Sequence, residues 1–276
     1  MSFNARETST ESGQPIRCYR FVFEDGSRDF GFTSAPNLTT LIPIAGALMF
    51  LPVAIKDDGL RSTGDKIADT MTITAPSDIE PAQWFVRSPP TRTVRVIIYD
   101  KHHADDEFLV TYTGEVREVS FDEIGQCKFI CGAIGDSMDR EGLRLCWERT
   151  CTHTIYDDEC KLIAAFFGVD VFVMSLTADS VQVDGLAGQP DGKFNGGFLQ
   201  FQHPVKGQLY KTIRKHVGST LSIFEGTTDI FAGTQIRVYP GCDHTPATCQ
   251  SFGNYNNYGG VPSLPGKSPF DGNPVF

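Results

Sequence analysis

The sequence lacks a long uninterrupted apolar segment. Its longest apolar run, residues 41–55, contains Pro43, Gly46 and Pro52, whereas a membrane-spanning helix needs about 20 consecutive apolar residues. We therefore expect this run to be buried core and expect no membrane partner. The opening residues, MSFNARETSTESG, contain no apolar block of the kind that a secretory signal peptide requires. We expect the chain to mature in the cytosol.

Positive charge is also scarce. The chain has 24 Lys and Arg against 34 Asp and Glu, which gives a net charge of −10. A surface that wraps nucleic-acid phosphates needs an excess of basic residues, so we expect no sequence-specific nucleic-acid partner. The length of 276 residues and the 40% hydrophobic content suffice to bury roughly 70–75% of the unfolded surface and suggest two domains.

Familiar catalytic motifs are absent as well. The sequence contains no Gly-x-Ser-x-Gly elbow, no phosphate loop, no His-Glu-x-x-His and no Gly-x-Gly-x-x-Gly after a strand. These absences favour a protein that is not an enzyme. Two alternatives stay open: a soluble redox or hydrolytic enzyme that uses iron–sulfur or zinc, and a two-domain zinc-binding adaptor.

Period-2 alternation of β-branched and aromatic residues dominates the sequence and predicts a mostly β fold, a β-rich α+β protein with antiparallel sheets. The strands predicted in the first half are residues 19–24, 28–33, 69–74, 92–99, 108–119 and 126–131. Those predicted in the second half are residues 162–183, 198–202, 209–215, 220–224 and 235–239. A short helix is predicted over residues 78–86, limited in length by Pro81.

The strand pattern changes near residue 145, where we place a domain boundary. Residues 1–145 are predicted to form an N-terminal antiparallel β domain. Residues 146–276 are predicted to form a C-terminal domain that contains a small β-barrel at about 161–241. The tail, residues 253–276, is rich in Asn, Gly and Pro and is expected to lie extended over another surface.

Four of the eight cysteines form two pairs. Eight residues separate Cys151 from Cys160, six separate Cys242 from Cys249, and the β-rich segment lies between the pairs. Loops that enter and leave a barrel can meet at one point, and four thiolates there suit a soft metal, either zinc or an iron–sulfur cluster. The reducing cytosol disfavours disulfides. Neither pair has the two-residue gap that is typical of zinc sites, so the spacing alone leaves small buried cysteines as an alternative.

The second pair has a helical context. Thr245 is a good N-cap and Pro246 suits the first helical position, so a short helix is predicted to begin here with Cys249 in its first turn. The free N–H groups at a helix start would stabilise an anionic iron–sulfur cluster. His153 and His244 lie within the cysteine motifs and could donate a hydrogen bond to a thiolate.

The remaining cysteines and one charged run have simpler interpretations. On a strand, Cys127, Phe129 and Cys131 would share one face, which is a core pattern. Cys18 stands beside aromatic residues and is also expected in the core. The run KHHADDE, residues 101–107, lies between two predicted strands and is expected to be a solvated hairpin turn rather than a metal or acid–base site.

Several segments carry a resemblance to a known family. The segments RTCTHTIYDDEC, YPGCDHTPATC and FGNYNNYGGVPSLPGKSPF, and more loosely the opening MSFNARETSTESGQPIRCYRF, resemble the signature of the phage tail-tip hub proteins. That family includes minor tail protein L of lambda-like siphophages and the hub component of gene transfer agents. The resemblance covers nearly the whole chain.

The resemblance implies a virion structural protein of the tail tip, or baseplate hub, assembled in the host cytoplasm. Such a protein forms a homotrimeric ring between the tail tube and the receptor-binding tip. Its implied partners are the distal tail protein, the central tip or receptor-binding protein and other tail-tip proteins. DNA would pass through the lumen of the ring, and the acidic net charge would not retain it.

The resemblance also implies a cofactor. By their positions in the motifs, Cys151, Cys160, Cys242 and Cys249 would hold a 4Fe–4S cluster, with zinc as the alternative. Cys146 departs from the family pattern and could be an alternative ligand. We expect the cluster to act as a structural staple rather than a catalyst, because joining distant loops removes conformational freedom from the unfolded chain.

Overall fold

The structure is a computed structural model that describes residues 7–8, 15–41, 48–59, 70–103, 107–133 and 146–264. The chain consists of two compact units, Met1–Arg140 and Glu141–Phe276. The predicted boundary near residue 145 lies at the end of residues 134–145, outside the described residues. Strands dominate both units, which confirms the prediction of a mostly β fold. In the described ranges, no helix has the length and apolar character needed to cross a membrane.

Nine strands form one sheet in the described part of the first unit. They are β1 (Pro15–Phe23), β2 (Asp29–Thr33), β3 (Thr39–Leu41), β4 (Leu48–Pro52), β5 (Lys56–Asp57), β6 (Met71–Pro76), β7 (Val94–His102), β8 (Leu109–Ser120) and β9 (Gln126–Ala133). Their spatial order is β3-β4-β2-β1-β7-β8-β9-β6-β5. The pairings are antiparallel except that β2 runs parallel to β4.

All six strands predicted in this half are present, whereas β3, β4 and β5 were not predicted. The expectation that residues 41–55 are buried core is wrong for part of the run. Phe50 of β4 is buried, but Met49 and Leu51 are exposed, because successive side chains of a strand point to opposite faces. Ile55, beyond the strand, is buried.

The expectation that residues 101–107 form a solvated hairpin turn is also wrong for part of the run. Lys101 and His102 are the last two residues of β7 rather than part of a solvated turn. The His102 side chain is 1% exposed, and its Nε2 lies 3.0 Å from a carboxylate oxygen of Glu7. Residues 104–106 lie outside the described residues.

The core of the first unit lies inside the curled sheet. The rings of Phe21 on β1 and Phe129 on β9 are 4.9 Å apart, although β7 and β8 separate their strands in the sheet. The sheet therefore curves around a shared core. Asp57 of the edge strand β5 reaches back to β1, where it accepts hydrogen bonds from Arg17 and Tyr19.

The three cysteines of this unit are buried, as predicted for Cys18, Cys127 and Cys131. Burial raises the pKa of Cys127 to about 11 and that of Cys131 to about 12. Both thiols therefore stay protonated near neutral pH, which is typical of structural core cysteines. The predicted helix over residues 78–86 is shorter than expected, since α1 covers only Glu80–Gln83.

Six strands of the second unit close into a barrel within the described range 146–264. They are β10 (Val169–Leu176), β11 (Ser180–Val183), β12 (Phe198–His203), β13 (Gly207–Val217), β14 (Thr220–Ile223) and β15 (Gln235–Tyr239). The barrel order is β10-β11-β14-β13-β12-β15, which confirms the predicted small barrel. The predicted strand at residues 162–183 is divided into a 3-10 turn, Ala164–Phe166, followed by β10 and β11.

The first and last strands of the barrel are neighbours. Val169 at the start of β10 pairs with Val238 near the end of β15, so the chain enters and leaves the barrel at the same end. The exit is tightly packed, because a side chain at Gly241 would overlap the backbone of Asn195 and Gly197. After this exit come α2 (Pro246–Ser251) and a 3-10 turn, Tyr255–Asn257.

Candidate metal centre

The loops before and after the barrel carry the four candidate cysteines. Cys151 lies in the entry loop, and its backbone N–H donates to the carbonyl oxygen of His244 at 2.9 Å. His244 is two residues beyond Cys242 in the exit loop. This backbone hydrogen bond therefore joins the loop of the first cysteine pair to the loop of the second.

A second connection runs through Asn254, which is 8% exposed. Its side-chain amide donates to the carbonyl oxygen of Cys160 at 2.6 Å, and its backbone N–H donates to the carbonyl oxygen of Cys249 at 3.0 Å. One residue thus fixes the positions of a cysteine from each pair.

The helix that carries Cys249 forms as the sequence predicts. Thr245 is the N-cap of α2 and its hydroxyl accepts the backbone N–H of Thr248, while Pro246 occupies the first turn. A threonine cap and an early proline are favourable here because the first N–H groups of a helix have no intrahelical partner. The cap stabilises the turn that contains Cys249.

The four thiols share one electrostatic neighbourhood. Burial raises the pKa of Cys249, and the charges of Cys151, Cys242 and Cys160 raise it further. Burial also raises the pKa of Cys242, although the backbone N–H of His244 opposes that increase. Neighbouring thiolates disfavour one another's charged form. A positively charged centre between them would remove this cost, since metal binding favours deprotonated ligands.

Within residues 146–264, three of the four sulfur atoms accept N–H hydrogen bonds. They are Cys242, from the His244 backbone at 3.3 Å; Cys151, from the Gly259 backbone at 3.3 Å; and Cys160, from the Asn254 side chain at 3.5 Å. Hydrogen bonds to the sulfurs tune the potential of iron–sulfur clusters. The soft thiol donors and the N–H groups that point at them fit such a cluster.

The described residues do not form a closed metal site at the four cysteines. Within the described residues, no three His, Cys, Asp or Glu side chains stand close enough together to hold a metal ion. A zinc ion with four bonds of about 2.3 Å would need sulfurs about 3.8 Å apart. In a 4Fe–4S cluster each thiolate binds a different iron, so the sulfurs stand farther apart.

An aromatic cluster packs between the cysteine loops and the barrel. Tyr156, in the loop between Cys151 and Cys160, has its ring 6.0–6.3 Å from those of Phe167, Phe198 and Tyr239. Its hydroxyl donates to the carbonyl oxygen of Pro240 at 3.0 Å. The aromatic cluster therefore attaches the entry loop to the barrel independently of any metal.

The described part of the tail packs on the entry loop. The hydroxyl of Tyr258 donates to the carbonyl oxygens of Arg149 and His244, and Arg149 Nε donates to the carbonyl oxygen of Leu264 at 2.7 Å. A side chain at Gly259 would overlap the ring of His153. Residues 253–264 of the predicted tail thus pack on residues 148–153. The rest of the tail, residues 265–276, lies outside the described residues.

Sequence reasoning missed Asn254 and Gly259 as neighbours of the cysteines. A signal was present, because both lie in the NYNNYGG run shortly after Cys249. His244 was predicted as a hydrogen-bond donor to a thiolate. Its backbone N–H, rather than its ring, donates to the Cys242 sulfur. Cys146 is exposed and is not among the thiols that raise the pKa of Cys249.

Comparisons with known proteins bear on the fold. Residues 192–268 match the profile of a family described as "Phage conserved hypothetical protein BR0599", and this stretch includes Cys242 and Cys249. The fold is similar to that of a chain in the solved structure "Virion of native gene transfer agent (GTA) particle", with a TM-score of 0.80, 19% sequence identity and coverage of 100% of this chain and 99% of that chain. A comparison with curated proteins found no match.

Proposed function

We propose that this chain is a structural protein of a phage-type virion and a hub component of its tail tip. The observation that carries the proposal is the similarity of fold, over essentially the full length of both chains, to a chain of a gene transfer agent virion. The phage family match over residues 192–268 and the motifs around the cysteines add support. A structural part of a particle needs no catalytic residues.

The proposed cofactor is a 4Fe–4S cluster held by Cys151, Cys160, Cys242 and Cys249. When bound, the cluster would supply four coordination bonds that join the entry and exit loops of the barrel. The protein's own groups would orient the sulfurs through N–H hydrogen bonds. Because the two pairs are far apart in sequence, such a staple restricts the unfolded chain more than a local site would. Zinc remains the alternative metal.

The proposed assembly is a homotrimeric ring between the tail tube and the receptor-binding tip. Its neighbours would be the distal tail protein and the central tip protein, and DNA would cross its lumen. The net charge of −10 supports this role, because an acidic lumen repels passing phosphates. Lysine substitutions at lumen-facing acidic residues are expected to slow DNA ejection.

The position in the particle is best tested by electron cryomicroscopy of an intact tail that contains the chain. We expect three copies in a ring at the junction of tube and tip. Sedimentation of the purified chain provides a second test, with a concentration-dependent trimer as the expected result. A chain that is absent from the tail, or located on the capsid, would contradict the hub assignment.

The metal requires a separate test. Protein purified without oxygen is expected to be brown, to absorb broadly in the visible range and to contain iron and sulfide together. Zinc without sulfide would favour the zinc-binding adaptor. Turnover of a substrate at an open metal position would favour the metal-dependent enzyme instead.

A further inference from the structure

The barrel of the second unit contains a buried Lys–Asp pair that lies outside the cysteine loops. Lys206 Nζ is 2.6 Å from a carboxylate oxygen of Asp229, and the two side chains are 2% and 3% exposed. Removing both charges from water offsets much of the attraction between them, so a buried ion pair is weak evidence of a stabilising role. The pair is therefore a candidate for chemistry between its two groups.

Both members of the pair lie on backbone segments that hydrogen bonds hold in place. Lys206 is in the turn between β12 and β13, where its backbone N–H donates to His203 Nδ1 at 3.1 Å. Asp229 is in a turn in which the backbone N–H of Ile230 donates to the carbonyl oxygen of Thr227 at 3.1 Å. Groups that a fold holds in contact react at effective concentrations far above those reached in solution.

The loop that carries Asp229 is fixed to the barrel at two further points. The backbone N–H of Thr227 donates to the carbonyl oxygen of Ala178 at 3.1 Å. Nζ of Lys211, a second buried lysine on β13, donates to the carbonyl oxygen of Gly226 at 3.0 Å. These contacts anchor the loop on both the β10–β11 side and the β13 side, so the carboxylate of Asp229 is held where Lys206 reaches it.

The two groups can form an amide without a co-reactant. A site that excludes water disfavours charged groups, and transfer of one proton from the ammonium to the carboxylate leaves a neutral amine beside a carboxylic acid. A neutral lysine amine is a nucleophile, and its nitrogen attacks Cγ of the aspartic acid. The N–Cγ bond forms, the bond from Cγ to the hydroxyl oxygen breaks, and a second proton from the nitrogen leaves with that hydroxyl group as water. The products are one secondary amide and one water molecule, so neither an oxidant nor a reductant is needed.

We propose that Lys206 and Asp229 form an intramolecular isopeptide bond. The bond closes a ring of chain that contains β13 and β14, and it joins the β12–β13 turn to the loop before β15. A covalent link at this place limits how far these strands can separate when the barrel is pulled or partly unfolded. The bond involves neither the cysteines nor a metal, and it does not depend on the position of the chain in a particle.

The test is mass spectrometry of the full chain, which is purified, incubated at neutral pH and then denatured. We expect an intact mass that is lower than the mass of the sequence by one water molecule. Trypsin does not cleave after an acylated lysine, so digestion should release residues 194–211 and 216–237 as one cross-linked peptide. Fragmentation of that peptide should place the link at Lys206 and Asp229.

Lys206→Arg separates the covalent bond from the ion pair. Its guanidinium keeps the positive charge but stays protonated and so is not a nucleophile, and this variant should have the full mass of its sequence. Lys128→Arg is the matched control, because Lys128 also lies near a carboxylate, that of Glu123 at 3.6 Å, but the two side chains are 38% and 59% exposed. It should lose one water molecule as the wild type does. Thermal melting checks that each variant is folded.

Three results would overturn the proposal. They are a wild-type chain with the full mass of its sequence, an equal loss of water in Lys206→Arg and the wild type, and a loss of water with the two tryptic peptides still separate. The last result would indicate a different dehydration, such as a succinimide at an Asp–Gly sequence. The first and last are measured on the wild type, so a variant that fails to fold does not prevent the test.

Discussion

Asn254 donates a hydrogen bond to the carbonyl oxygen of Cys160 at 2.6 Å, across 94 residues of chain. The same amide lies 3.5 Å from the Cys160 sulfur, and the Asn254 backbone binds the carbonyl oxygen of Cys249. The two cysteines are therefore held near each other by the protein itself. In this geometry a metal would complete an arrangement that hydrogen bonds already favour, which lowers the entropy cost of binding.

Replacing this residue tests how far the chain preorganises the site. Asn254→Ala removes the two hydrogen bonds that its amide donates to Cys160 and the one that it accepts from Asn257. It leaves the Cys160 carbonyl oxygen without this donor, so we expect it to destabilise the second unit by about 1–3 kcal/mol. Iron content should fall as well. Asn256→Ala, at an exposed position in the same turn, is the control. Chemical unfolding and iron analysis measure both effects, and equal behaviour of the two variants would contradict the bridging role.

Substitution of the cysteines tests the ligand set. We expect Ser at Cys151, Cys160, Cys242 or Cys249 to lower the iron content and to reduce the melting temperature of the second unit by at least about 5 °C, because binding energy of a structural metal is folding energy. The control is Cys146→Ser, since that thiol is exposed, and it should keep its iron. Loss of iron in the Cys146 variant with retention in one of the other four would require a different ligand set.

Much of the fold could be predicted because alternation along a strand is a local property. Residues 209–213 alternate buried and exposed side chains, and the strand there was predicted from sequence. The strands that were missed are too short, as in β5 (Lys56–Asp57), or lack alternation, as in β4 with the sequence LMFLP. Their conformations depend on pairing with distant strands, which no local pattern encodes.

The same distinction between local and distant features applies to the candidate site. The two cysteine pairs and the helix at Thr245 are visible in the sequence, because spacing and capping are local. The supporting hydrogen bonds are not. The backbone N–H of Gly259 donates to the Cys151 sulfur across 108 residues, and this contact depends on the barrel holding its entry and exit loops together.

The exit from the barrel provides a test of how the fold positions the ligands. A methyl group at Gly241 would overlap the backbone of Asn195 and Gly197, and a rigid backbone cannot move aside cheaply. We expect Gly241→Ala to destabilise the second unit by more than about 2 kcal/mol and to lower its iron content. Gly188→Ala is the control, since a side chain there would meet nothing within 4 Å. Unchanged melting in Gly241→Ala would show that the exit is more plastic than its packing suggests.

For the first unit, the test is the pH dependence that Asp57 confers on its stability. Its side chain is 4% exposed and lies 2.7 Å from Arg17. Burial favours a higher pKa, but hydrogen bonds from Tyr19 and Arg17 outweigh it, so the pKa of Asp57 is lowered from its ordinary value. A carboxyl group whose pKa is lowered on folding stabilises the folded state at pH values above its pKa in the unfolded chain, which is about 3.9 for Asp. That stability is lost as the pH falls from there through the lower folded value.

Asp57→Asn removes this contribution, because the amide carries no charge. At pH 7 we expect the variant to be less stable by about 2 kcal/mol, the scale of a hydrogen bond to a charged group. As the pH falls below 4, the stability of the wild type should decrease towards that of the variant, because the carboxylate is protonated first in the unfolded chain and, at lower pH, in the folded protein. Denaturant unfolding of both proteins between pH 2.5 and 7 measures this convergence, with Asp122→Asn, at an exposed position, as a control for stability at pH 7. Parallel curves for Asp57→Asn and the wild type would mean that the link between β5 and β1 contributes nothing to the acid sensitivity of the unit.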